Sequence, residues 1–206
     1  MLHGAAEGRL EVRQEGDGSR ILRGSFPYGV TATLSDGGRK GRPRKERFAS
    51  RAFQYRVEQP DAEIHLLVGH DYGKPLASKL NETLTLQDGD DALSFEARIL
   101  PSVLETVHGR DAIALLSAGL AVGLSPGFRL PPERAVEDAE SVEREPNNPD
   151  EGQHGAIIRT VKAALLYELS LVTRPAFEEA QVEARRWQAD DPGRLPASVP
   201  APWRWR

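Results

Sequence analysis

Apolar residues along the chain mostly alternate with polar ones, in short runs broken by Gly, Pro and Asp, a pattern that predicts a succession of short strands. "ILRGSFPYGVTATL" predicts the first, so ordered structure is expected to begin near Ile21. "AEIHLLVGH" reads as a buried strand with Ile64, Leu66 and Val68 on one face, ending at Gly69 and His70. In "KLNETLTLQDGDDALSFEARIL" the alternation at Leu84 and Leu86, then at Leu93, Phe95 and Ala97, flanks an Asp-Gly turn and predicts a hairpin. "AIIRTVKAALLYELSLVT" is again β-like, with Glu168, Ser170 and Val172 on one face and Tyr167, Leu169 and Leu171 on the other.

Helical spacing interrupts the strands at three places. Phe48, Ala49, Ala52 and Phe53 suit a short helix packed on a sheet, and Ala112, Leu115, Leu116 and Gly119 predict a helix before the strand that carries Ser125. "RPAFEEAQVEARRW" predicts a closing helix, with Pro175 near its start and Glu178 and Glu179 in the first turn, where the helix dipole favours acids.

Three segments lack either period. Residues 1–20 are polar and Gly-containing and read as a flexible arm; residues 131–155 are acidic, rich in Pro, Asn and Gly, and read as a long mobile loop; residues 188–206 form a Pro-rich tail. One domain is therefore expected over residues 21–187.

Composition narrows the chemistry. The 206 residues are 39% hydrophobic and 28% charged, and no apolar run approaches the roughly 20 residues of a membrane-spanning helix. The N-terminus has no apolar stretch followed by a small-residue cleavage site, so the chain is expected to stay in the cytoplasm. Cysteine is absent, which excludes disulfides, a thiolate nucleophile and sulfur-ligated zinc. Catalysis, if any, falls to Ser, Thr, His and carboxylates, and no cofactor or metal is expected. The net charge of −4 argues against a general nucleic-acid binder. The run of Arg39, Lys40, Arg42, Arg44, Lys45 and Arg47 reads as a solvated loop between strands, with a patch for phosphate or an acidic partner as the alternative.

Ser125 sits in "GLSPGF", where Ser-Pro and Pro-Gly pairs are common turn punctuation, so local sequence favours a turn. A serine becomes a nucleophile only when a base takes its proton, which turns attention to the five histidines. His3 and His154 lie in the arm and the acidic loop, and His108 adjoins Gly109 in a predicted turn. His65 reads as structural, inside a strand. His70 ends a buried strand, where a side chain is both held and exposed. His65 and His70 are an odd number of residues apart and fall on opposite faces, which disfavours a shared metal.

"LLVGHDYGKPLAS", "ALSFEARIL", "SAGLAVGLSPGFRL" and "LYELSLVTRPAFEEAQV" occur in the order and spacing of the prohead (capsid maturation) proteases of tailed bacteriophages, which the chain resembles from about Ile21 to Arg185. That family is similar in fold to the herpesvirus assemblins, so the resemblance implies an α+β protein, a compact, mostly antiparallel β-barrel with surrounding helices. It implies a serine endopeptidase with Ser125 as nucleophile and His70 as base. For the group that orients His70, Glu168 is favoured, because a carboxylate in an apolar strand is costly unless paired; a salt bridge to an arginine is the alternative role, and Asp71 the weaker alternative residue. Pro126 has no N–H, so an oxyanion donor at that position would have to come from elsewhere. The implied partners are the major capsid protein precursor and scaffold protein, cut inside the assembling procapsid in the host cytoplasm, with self-cleavage and a homo-oligomer as further expectations. The rival readings are a non-catalytic assembly protein that keeps the fold, and a nucleic-acid module built on the basic run.

Overall fold

The alternation resolves into fourteen strands and three short helices in a computed structural model that describes residues 11–176, apart from 39–40, 122, 149 and 151–152. In chain order these are β1 (Glu11–Gln14), β2 (Arg20–Pro27), β3 (Ala32–Ser35), β4 (Arg44–Phe48), α1 (Gln54–Glu58), β5 (His65–Val68), β6 (Asp71–Ser78), β7 (Leu84–Asp88), β8 (Ala92–Ile99), α2 (Pro101–Leu104), α3 (Val107–Ser117), β9 (Gly123–Arg129), β10 (Glu140–Arg144), β11 (Asn147–Asn148), β12 (Gln153–His154), β13 (Ile157–Val161) and β14 (Leu165–Val172).

Period two decides which residues each strand buries. In β8, Leu93, Phe95, Ala97 and Ile99 are buried while Ser94, Glu96 and Arg98 face water, and β8 pairs antiparallel with both β2 and β7. The predicted hairpin is thus β7 and β8. Three four-stranded sheets result, in the orders β1-β2-β8-β7, β10-β13-β4-β3 and β6-β5-β14-β9. All three contribute to one hydrophobic cluster, which includes Leu22, Phe26 and Phe95 from the first, Phe48 and Val161 from the second, and Leu66, Leu124 and Leu169 from the third. Phe48 lies at its centre, with ring centroids 5.2 Å from Phe26, 5.1 Å from Phe53 and 5.1 Å from Phe128.

The α+β class holds, but the barrel does not. Each four-stranded sheet ends in two open edges, β1 and β7, β10 and β3, or β6 and β9, and none closes on itself. Closure needs a continuous hydrogen-bonded circuit. Here the chain changes sheet at short connections instead: residues 162–164 carry it from β13 to β14, fixed where Ala49 N–H donates to the Val161 carbonyl and Ala164 N–H to that of Ala52.

Two segments read as lacking regular structure contain strands. Residues 11–14 pair with β2 across a turn in which the Asp17 carboxylate accepts from Ser19 N–H (3.0 Å) and its hydroxyl (2.6 Å). In the acidic stretch, β10 pairs with β13 and β11 with β12. Charge explains both this and the basic run: Lys45 Nζ lies 2.6 Å from Glu145 and Arg47 2.7 Å from Glu143, so the run enters β4 and meets the acidic segment. That parallel pairing of β4 with β13 also claims Phe48 for a strand, and the predicted short helix begins only at Gln54.

The helix predicted before Ser125 is α3, capped by the Thr106 hydroxyl accepting from Gly109 N–H at 3.1 Å. His108 is therefore on a helix rather than in a turn, with Nε2 3.0 Å from the Pro75 carbonyl. The helix predicted from Pro175 onward lies, beyond Ala176, outside the described residues, as do the first ten residues and the Pro-rich segment 188–206.

Candidate active site

The strand β14 organises the site. It lies between β5, which it pairs in parallel, and β9, which it pairs antiparallel, with Glu168 opposite both His65 and Gly127, and Ser170 opposite Ser125. Directly opposed residues on paired strands project from the same face, so Ser125 shares a face with Ser170 and Glu168. "SPG" is accordingly not a turn: Ser125, Pro126 and Gly127 lie within β9. Pro126 is accommodated because β9 is an edge strand, where a missing N–H need not break a ladder. The other face of β9 sends buried Leu124 and the Phe128 ring into the core, which anchors the strand under the serine.

His70 arrives from the opposite side of β14. Val68 pairs with Asp71, leaving Gly69 and His70 as a two-residue hairpin loop, with φ of 63° and 61°. Positive φ at both central residues is the signature of a type I′ turn. Glycine adopts it freely, whereas a left-handed histidine costs about 1–2 kcal/mol. The return is position: the imidazole stands over β14.

Its Nδ1 lies 2.7 Å from Glu168 Oε1. An ionised carboxylate can only accept, so Nδ1 carries the proton and Nε2 is left as the acceptor. Glu168 is 3% exposed, and among the described residues its Oε1 is met by the hydrogen bond from His70 rather than by an arginine. Its second oxygen accepts from the Ser170 hydroxyl at 2.7 Å, and that hydroxyl accepts His70 N–H at 2.8 Å. Gly127 makes room for the carboxylate directly across the strand pair. Asp71 turns away, accepting from Gly73 N–H and pairing with Lys74.

The His70 side chain remains 46% exposed, so the imidazole can be reached from solvent. Among the described residues, the hydrogen bonds of His70 run to Ser170 and Glu168, and none joins it to Ser125. Catalytic contacts of this kind are often long until substrate binds.

Further residues surround the three. Arg129 follows Ser125 and Gly127 at alternate positions of β9, with its guanidinium 5.6 Å from the Tyr167 ring centroid; Arg56 lies over the same ring at 4.3 Å. Tyr72 is exposed and meets His65 edge to face at 5.8 Å. Partial desolvation, and then the charge of Glu168, raises its phenol above the usual range. His65 thus sits beside the site without touching Glu168 through a hydrogen bond.

The family model described as "Caudovirus prohead serine protease" matches residues 13–192. The chain belongs to the caudovirus prohead serine protease family. No curated protein and no solved structure matches it. Membership in the prohead protease family carries a role in phage capsid maturation, with capsid-related substrates and action in the assembling procapsid. Among the described residues, no helix is long and apolar enough to cross a membrane.

Two parts of this candidate site were given no functional role from the sequence. Ser170 had a legible signal, a serine two residues from Glu168 on one face of an apolar strand. Gly127 was read as turn punctuation, although a glycine inside a strand also marks close approach by another group.

Proposed function

We propose that this prohead protease is an active serine endopeptidase that cuts scaffold protein and the major capsid protein precursor, and itself, with Ser125 as nucleophile, His70 as general base and Glu168 as the orienting carboxylate. The observation that carries this reading is the 2.7 Å bond between His70 Nδ1 and a buried Glu168, on the sheet face where Ser125 projects. In this mechanism His70 Nε2 takes the Ser125 proton as Oγ bonds to the scissile carbonyl carbon. The C–N bond then breaks, and the same proton goes to the departing amine. A water, deprotonated in turn by His70, releases the acyl group and restores the serine. Glu168 keeps the imidazole in its productive tautomer and offsets the transient imidazolium charge.

Pro126 cannot donate to the oxyanion, so the donors are other backbone amides near the serine. The same proline is the one feature that favours the second reading, a non-catalytic assembly protein that retains the fold. The basic run offers less to a nucleic acid, since Lys45 and Arg47 are engaged by Glu145 and Glu143. We place the action in the host cytoplasm, inside the procapsid, and leave a homo-oligomer as part of the proposal.

The deciding experiment mixes the purified chain with its capsid precursor. Cleavage should proceed with wild type and fall by up to about a million-fold with Ser125→Ala, the scale seen when a triad nucleophile is lost. Undiminished cleavage by that variant would overturn the assignment.

A further inference from the structure

We infer that Ser170 is a positioning residue of this site, one hydroxyl that sets both the backbone of the base and the carboxylate behind it; this rests on the triad reading proposed above. A serine hydroxyl has one proton to donate and lone pairs to accept with. In Ser170 the proton goes to Glu168 Oε2 at 2.7 Å, and the oxygen accepts His70 N–H at 2.8 Å. Ser170 is fully buried, so no solvent replaces either bond.

The two bonds address different weaknesses of the arrangement. His70 is a non-glycine residue at φ 61°, in a two-residue loop whose conformation is sparsely populated for histidine. Its N–H is tied across to β14, at a residue two positions from Glu168, so the turn and the carboxylate share one rigid reference. Glu168 is held at both oxygens, Oε1 by His70 and Oε2 by Ser170, and the carboxylate plane cannot rotate without losing one of them. Ser170 is also the residue directly opposite Ser125 in the β14–β9 pair. It touches neither substrate nor the transferring proton. It acts through His70 and Glu168, and an error there would misplace Nε2 relative to the serine hydroxyl.

This role separates positioning from binding, and a fluorophosphonate probe reads the difference on the full chain, since it reports Ser125 nucleophilicity without a known substrate. Ser170→Ala should lower the maximal inactivation rate on the order of a hundredfold, the effect of a misplacement near 1 Å, with the half-saturating probe concentration unchanged. Ser170→Thr, which keeps the hydroxyl, should stay within about tenfold of wild type, whereas Ser170→Cys, close in volume but a weak donor, should resemble the alanine variant. The Ser170→Ala/Glu168→Gln double variant should label more slowly than Glu168→Gln alone, through the lost bond to His70 N–H, but by less than the product of the two single losses, because the bond between Ser170 and the carboxylate is shared. Thermal melts identify any variant that fails to fold; if Ser170→Ala does, the threonine and cysteine variants decide. Wild-type labelling rates in Ser170→Ala or Ser170→Cys, or losses that multiply in the double variant, would overturn the role. Labelling that persists in Ser125→Ala would instead show that the triad reading has failed, and the positioning role with it.

Discussion

Gly127 and the Glu168 carboxylate share one space: a Cβ on residue 127 would stand 1.9 Å from Glu168 Oε1, the atom that holds His70. The obstruction runs from the carboxylate back to Cδ and Cγ of Glu168, with no backbone atom among the three nearest, so the whole side chain must turn to another rotamer while the strands keep their places. Gly127→Ala is therefore expected to fold and to lose on the order of a hundredfold in cleavage, by pushing the carboxylate off the imidazole. Turnover of capsid precursor beside a thermal melt checks this; normal turnover would mean that the Glu168 position is not needed.

His70 and His65 provide a controlled comparison, since β5 carries one and the turn after it the other. His70→Ala should abolish cleavage, by about a million-fold as for other lost bases, and should lower the melt without unfolding the chain, because it leaves Oε1 of the buried Glu168 without its partner while Leu66 and Leu67 keep the core contacts of β5. His65→Ala should retain most of the activity. A dead His65 variant with an active His70 variant would reverse the assignment.

Glu168→Gln should leave a partial activity, slower than wild type but faster than Ser125→Ala or His70→Ala, because an orienting group contributes less than the nucleophile or base. The amide can still meet Nδ1, though without the charge that favours imidazolium. Rates on one substrate for the three variants test the order; a wild-type rate would reduce Glu168 to a structural residue.

Docking of the acidic segment onto β4 should weaken in acid. The Lys45 ammonium, with amides of His154 and Ala156, holds the Glu145 carboxyl below its ordinary value of 4.5. A carboxyl depressed on folding contributes stability that is present above its unfolded value and is lost as pH falls through the folded one. Amide protection in β10 and β12, taken relative to the intrinsic exchange rate at each pH, should accordingly fall below about pH 4.5, more than protection in β8 does. Glu145→Gln should flatten that dependence, and an equal fall in all three strands would contradict it.

Much of the local structure was legible because a strand's alternation depends on its own residues. The β7–β8 hairpin followed from Leu84, Leu86, Leu93 and Phe95 around a turn, and α3 from the spacing of Ala112 and Leu116. His70, Ser125 and Glu168 were named together through a family resemblance; their local settings alone pointed to a strand end, a turn and an apolar strand. The acidic segment was misread for a related reason. Glu143 and Glu145 look solvated until Arg47 and Lys45, nearly a hundred residues earlier in the chain, supply the opposite charge.

Local periodicity and composition settle the faces of the strands, the exclusion of cysteine chemistry and the residue types available for catalysis. Tertiary structure alone decided which strands pair, and hence that three open sheets form where a barrel was expected. It also decided that Ser125 stands opposite Ser170, that Gly127 yields its space to Glu168, and that one buried hydroxyl joins His70 to Glu168. The reason is that periodicity specifies the direction of a side chain from its own backbone, whereas its neighbour across a sheet is set by register, which long-range packing and charge pairing select.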